Sequence, residues 1–175
     1  REKGVRDRVL AVTAEKWAEA NLDGVGFVHL HSMWSPIPHG VGRAARRRGV
    51  PYAICPHGML DHWVMKQSTL KKKLHLALIS GPTVRGASFV HALNEHEAGC
   101  VEAFGFGTPV EIINNGVFLE EYTSLPEPGS FRGSHPELGG GPLIVFLSRL
   151  HFKKGLDHLA GAFAAIAGDF PEARL

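Results

Sequence analysis

Apolar and polar residues along this chain switch between two periods, and the switches outline its elements. Val5, Val9, Val12 and Trp17 fall near helical spacing, which predicts an amphipathic helix over residues 5–20. Gly24 and Gly26 break it, and Phe27–Leu30 reads as a short strand left through the loop Ser35-Pro36-Ile37-Pro38. Residues 38–48 suit a helix closed by Gly49 at its C-cap. Tyr52–Cys55 gives the next strand, turned sharply by Pro56-His57-Gly58. Leu70, Leu74 and Ala77/Leu78 mark the apolar stripe of a helix running to about Ser80. The strand Phe89–Leu93 follows, and Asn94 with Glu97 three residues on forms a capping-box pattern. Val110–Ile113 is a further strand before Asn114-Asn115-Gly116. Strands alternating with helices across short turns predict an α/β fold, with a parallel sheet flanked by helices.

The pattern lapses at residues 123–142, which are rich in Ser, Pro, Glu and Gly and read as an interdomain linker. Gly139-Gly140-Gly141 precedes a strand and lacks a Lys-Ser/Thr ending, so it belongs to that linker and not to a phosphate loop. Leu143–Leu147 then reads as a buried parallel strand, followed by a turn and a fresh helical stripe of Leu156, Leu159, Phe163 and Ile166. That unit is expected to stand apart from the sheet of residues 27–113.

Candidate chemistry gathers where strands end, because open α/β sheets bind ligands at their carboxyl edge. His57 sits just after a strand, and its Pro and Gly neighbours turn the backbone so that the imidazole faces that edge. Asp61 has two readings: it accepts a hydrogen bond from a substrate hydroxyl or from His57, or it caps the next helix. His31, Trp34 and Trp63 lie in loops near the same edge, where aromatic faces can stack on sugar rings or simply pack. Asn115 and Gly116 end the Val110–Ile113 strand, and Gly116 permits close approach of backbone to a ligand. Arg149 and Lys154 flank one strand–helix turn, an arrangement that suits a diphosphate or, equally, a solvated basic turn.

The spelling of several segments bears on these alternatives. Leu143–Asp157, LIVFLSRLHFKKGLD, resembles the S/G-R-L-x-x-x-K-G-x-x motif of family 4 glycosyltransferases, enzymes of the GT-B fold. HSMWSPI (31–37) and PYAICPHGMLDHWVMKQSTLKKKL (51–74) look like that family's acceptor-side loops. HALNEHEAGCVEAFG (91–105) and VEIINNGVFLEEY (110–122) look like its S/T-x-x-E and P/N-N-G-V elements. The resemblance implies an acceptor-side, Rossmann-like amino-terminal domain over 1–122 (one half of a two-domain GT-B enzyme), truncated at its start, the linker 123–142, and the first strand and helix of a nucleotide-sugar-binding domain over 143–175. On that view the chain is a fragment, inactive alone, of an enzyme that transfers a sugar from a nucleotide-sugar donor to a saccharide or lipid-linked acceptor with retention.

By the same resemblance, Arg149 and Lys154 hold the donor diphosphate. Ser148, where many relatives carry Gly, either adds a hydrogen bond or crowds the phosphate. His57 lies against the reacting sugar, as the catalytic-site residue, and the cleft carries His31, Trp34, Asp61, Trp63, Asn115 and Gly116. No cofactor beyond the donor is implied, and relatives are metal-independent. Two rivals share the architecture: a GT-B sugar-nucleotide epimerase, and a non-catalytic carbohydrate-binding module.

Composition adjusts this picture only a little. The 175 residues, 44% of them apolar, can bury a core, and a net charge of +2 is too small to argue for a nucleic-acid partner. Cys55 and Cys100 in apolar surroundings suit reduced thiols and a cytoplasmic setting. His29 and His31 share one strand face, yet no C-x-x-C or H-E-x-x-H accompanies them, so no metal is expected. Basic runs at Arg43–Arg48 and Lys66–Lys73 are either solvated faces or contacts for the anionic surface of the cytoplasmic membrane.

Overall fold

The computed structural model describes residues 2–66 and 69–175, with the backbone alone for residues 2–5, 8 and 69. The chain divides into two compact units, Arg1–Val117 and Phe118–Leu175.

The first unit is built on four parallel strands, β1 (Val28–His31), β2 (Tyr52–Cys55), β3 (Phe89–Ala92) and β4 (Val110–Ile112), in that spatial order. Each strand pairs in parallel with the next, with His31 opposite Cys55 and Val90 opposite Val110. Helix α1 (Glu2–Asn21) precedes the sheet, and α2 (Pro36–Arg48) crosses from β1 to β2. The β2–β3 crossover carries α3 (His62–Lys66), α4 (Thr69–His75), a π-helical turn over Leu76–Ser80, and α5 (Gly81–Arg85). Helix α6 (Glu95–Glu102) joins β3 to β4. The α/β class and the parallel sheet stand as the periodicity predicts. Gly49 closes α2 at φ 68°, donating to the carbonyls of Ala45 and Arg46.

The core packs Leu30, Tyr52, Ile54, Val84 and Val90 against Ala18, Ala44 and Ala45. All four β2 residues are buried, so β2, one of the two inner strands, is interior by burial as well as by pairing.

Two predicted apolar stripes point the other way. In α1, Val9, Val12 and Trp17 are exposed, Trp17 at 65%, while Ala18 is buried and Leu22 nearly so. The side chain of Val5, the first of that stripe, lies outside the described residues. The face α1 turns inward is set by close approach: a Cβ on Gly40 of α2 would lie 2.2 Å from the Ala11 carbonyl oxygen. Small residues let the two backbones meet, and charged pairs then run along the seam. Glu15 meets Arg43 at 2.6 Å and also Arg47, Glu19 meets Arg47 at 2.6 Å, and Arg48 pairs with Asp23. Burial alone would raise the Glu15 carboxyl, but its hydrogen bonds and charge contacts with Arg43 and Arg47 carry it below its usual value. Arg43, Arg47 and Arg48 of the first basic run therefore serve helix pairing rather than a free basic surface.

In the β2–β3 crossover, Leu70 (81% exposed), Leu74 and Leu78 face outward, and Leu76 and Ser80 face the core. The π turn inserts an extra residue per turn, which rotates the inward face away from the Leu stripe. Ser80 fixes the new phase, donating from Oγ to the Met33 carbonyl at 2.8 Å.

The second unit holds α7 (Ser130–Ser134) and α8 (Leu156–Ile166), whose half-buried side chains Leu156, Leu159 and Phe163 follow the predicted stripe, while Ile166, its last member, is exposed. Residues 123–142, expected as a linker, fold within this unit. Arg132 donates to the Gly139 and Gly141 carbonyls, and Gly141 lies so close to Glu172 that a Cβ would meet its carbonyl oxygen at 2.0 Å. The predicted strand Leu143–Leu147 does not form. A single parallel bridge joins Leu143 to Arg174, and Leu147 is 95% exposed. A strand exists through its neighbours' hydrogen bonds, and residues 173–175 offer this one only a brief partner.

Candidate functional site

β1 and β2 end side by side at the carboxyl edge of the first sheet, and each leaves through a left-handed residue. Ser32 has φ 85° and His57 φ 54°, uncommon values for side-chain-bearing residues. The turn after β1 is held by the Ser32 N–H on the Cys55 carbonyl at 2.9 Å. These turns bring His31 Nδ1 to 2.8 Å from His57 Nε2, with the rings stacked 5.1 Å apart. Cys55 Sγ lies 3.8 Å from His57 Nδ1, and burial pushes its thiol upward in pKa.

The imidazoles continue across the sheet face. His29 lies 4.3 Å from His31 by ring centres and stacks on His91 at 5.0 Å. His91 Nε2 meets the Ile113 carbonyl at 2.7 Å, and a carbonyl can only accept, so that nitrogen carries the proton. His91 Nδ1 in turn lies 3.0 Å from His29 Nε2. Burial, then neighbouring imidazoles, lower the pKa of both His29 and His31, so each resists protonation near neutral pH.

The His57 turn is anchored from α6. Glu97, 5% exposed, accepts from Gly58 N at 2.5 Å and from Leu93 N at 2.7 Å. Asn94 caps α6 as its pattern predicts, accepting from Glu97 N at 2.9 Å. The Glu97 carboxylate, though, reaches the neighbouring loops instead of completing a capping box. Sequence reasoning had no signal for this, since Gly58 and Glu97 are 39 residues apart.

Asp61 caps α3 through Oδ1 on Trp63 N at 2.7 Å and meets His96 Nε2 through Oδ2 at 2.8 Å. The His96 hydrogen bond, then the Trp63 one, hold its carboxyl below the usual range. Its partner is thus His96, and not His57.

Trp34 borders a cavity of about 350 Å3 with Ala11, Val12, His39 and His75, where its buried indole N–H has no hydrogen-bond partner among the described residues. His39 beside it is structural: it donates from Nε2 to the Met33 carbonyl at 2.9 Å, and burial lowers its pKa to about 4. Trp63 lies on α3 and is half exposed. Asn115 and Gly116 follow β4 and are exposed, while Asn114 spans from β4 to the Leu93 carbonyl. Ser148, Arg149 and Lys154 belong to the second unit and are all exposed. Lys154 ends a short 3-10 turn, and Gly155 at φ 64° leads into α8. The first unit therefore brings His31 and His57 together, with His29 and His91 beside them.

The family model described as a glycosyl transferase 4-like domain matches residues 4–116. The chain belongs to that family. No curated protein matches it. The match covers the whole sheet, so in this glycosyltransferase domain the His31–His57 pair lies at the carboxyl edge of a Rossmann-like half. Among the described residues, no helix is long and apolar enough to cross a membrane.

Proposed function

We propose that this glycosyltransferase moves a sugar from a nucleotide-sugar donor to a hydroxyl of a saccharide or lipid-linked saccharide, with retention at the anomeric carbon and without a metal in the reaction. The bond from the anomeric carbon to the diphosphate oxygen breaks, and a bond to the acceptor oxygen forms. The acceptor's proton leaves with the departing nucleotide or to solvent. The observation carrying this reading is the His31–His57 pair at the carboxyl edge, fixed by a left-handed turn that Glu97 anchors. His57 hydrogen-bonds the reacting sugar, a positioning role that suits an imidazole held in place before substrate arrives. Arg149 and Lys154, with Ser148, take the diphosphate and counter the charge that grows as it departs. His31, Trp34, Asp61, Trp63, Asn115 and Gly116 line the acceptor side.

The outward Leu70, Leu74 and Leu78, with exposed Lys71 and Lys73 beside them, favour peripheral contact with the anionic cytoplasmic face of a membrane. That placement suits a lipid-linked acceptor.

The experiment is to incubate the whole protein with UDP-, GDP- and ADP-linked sugars and to follow nucleotide release and product anomeric configuration. One donor class should support turnover, and His57→Ala should slow it roughly a hundredfold, within the range for a group acting at the reacting centre. Epimerised donor with no transfer, or wild-type turnover in His57→Ala, overturns the reading.

A further inference from the structure

A second group of side chains lies beside the His57 turn, and of its three members only Asp61 is among the acceptor-side residues just named. His96 and Cys100 stand four residues apart on α6 and so share one helical face. Asp61 reaches them from the loop after β2. His96 Nε2 is 2.8 Å from Asp61 Oδ2 and 3.7 Å from Cys100 Sγ, and the three donor atoms all lie within 4.8 Å of one another.

This geometry discriminates between two readings of a Cys, a His and an Asp. A nucleophile relay needs the thiol on one ring nitrogen and the carboxylate on the other. Here both face the same nitrogen, Nε2, so the ring cannot pass a proton from one to the other. Three donors converging on one point is instead the arrangement of a cation site. Tetrahedral zinc, with bonds of about 2.0–2.3 Å, sets its ligands roughly 3.3–3.7 Å apart, so small shifts of these side chains admit the ion. The sheet-edge group of His31, Cys55 and His57 differs. Its donor atoms also lie within 4.8 Å of one another, but His57 there turns Nε2 to His31 and Nδ1 to Cys55, so neither nitrogen has both as its close partners.

We propose that Asp61, His96 and Cys100 bind a thiophilic divalent cation, zinc being the best match to a carboxylate, an imidazole and a thiolate. The fourth position opens toward a cavity of about 110 Å3 lined also by Gly58, Leu60 and Leu93, with room for a water ligand. Cys100 is buried, Asp61 half-buried and His96 exposed, so the ion enters from the His96 side. The site's effect reaches His57. Glu97 of α6 already holds Gly58, and an ion on Asp61 staples the same loop to the same helix a second time. Occupancy therefore steadies the turn that presents His57, without entering the reaction.

The test is a Co2+ titration of the reduced whole protein. A thiolate-to-cobalt charge-transfer band with tetrahedral visible bands should appear and be displaced by Zn2+. Cys100→Ser should abolish the charge-transfer band, and His96→Ala should weaken Co2+ binding at least tenfold, the lower end for disrupting a metal site. His31→Ala, which disrupts the sheet-edge group, should leave the band unchanged. Zn2+ should also slow amide exchange at residues 58–61 in the wild type and not in His96→Ala. Circular dichroism checks that each variant folds, and if Cys100→Ser does not, the exposed His96 decides. Absence of the band, its persistence in a folded Cys100→Ser, unchanged Co2+ affinity in His96→Ala, or loss of the band in His31→Ala overturns the site.

Discussion

At Tyr52–Cys55 and at Leu143–Leu147 the chain spells one plan: an apolar run, a turn, and side chains suited to a ligand, then a helix. The first run becomes an inner strand of a parallel sheet with every residue buried. Its turn then has a fixed shape, with His57 at φ 54° against His31 and Glu97 holding Gly58. The second run makes one bridge and leaves Val145 and Leu147 in solvent, so Arg149 and Lys154 hang from a loop. Apolar sequence supplies the motive for a strand, but neighbouring strands supply its hydrogen bonds and its burial. A site at a strand's end is only as well placed as that pairing makes it.

The comparison can be broken most sharply by stability. Ile54→Ala should destabilise the first unit by ~2–5 kcal/mol, the range for a large aliphatic side chain removed from a packed core. Leu147→Ala should change stability by less than ~0.5 kcal/mol, because an exposed side chain loses no packing. Denaturant midpoints measure both. A large loss for Leu147→Ala in the whole protein would mean that the second strand is paired there after all.

Activity sharpens it next. Arg149→Ala or Lys154→Ala in the whole enzyme should slow transfer by roughly ten- to a hundredfold, each losing one charge-assisted contact of ~1.5–3 kcal/mol. The loss should appear in kcat and not only in donor KM, since the leaving group's charge grows during reaction. Neither change should shift the midpoint of the first unit. Wild-type kcat in both variants returns these residues to a solvated turn.

The smallest effect lies on the α1–α2 seam. The Glu15 carboxyl lies below its ordinary 4.5 in the folded state, so its stabilisation is complete above pH 4.5 and fades as pH falls through the lowered value. Glu15→Gln should remove that part of the acid sensitivity, at under ~1 kcal/mol near neutral pH. An acid transition identical in both proteins would assign the pH dependence to other groups.

Residues with short-range reasons for their conformation were legible in the chain. Gly49 closes α2, Asn94 caps α6, and Leu156, Leu159 and Phe163 face inward on α8, because each rests on partners within a turn or two. The His29/His31 alternation likewise put both rings on one face. Which helix face turns inward was less legible. Val9, Val12 and Trp17 carry more apolar area than Ala11 and Ala18, yet the small-residue face turns inward, with Gly40 closely approaching the backbone at Ala11 and Glu15. The Leu70 stripe misses the core because a π turn shifts the helical phase, and that turn depends on Ser80 finding the Met33 carbonyl.

By itself, then, the sequence determined the α/β alternation, the positions of the strands in the first sheet and the residues that end them. Those features rest on periodicity and turn chemistry, which act over a few residues. The tertiary structure alone decided that Glu97 holds the His57 turn, that Asp61 meets His96 and Cys100, and that His29 reaches His91 across β2. Those contacts join residues 35 to 62 positions apart, except within α6. Their geometry is fixed by strand order and register, which no local pattern encodes.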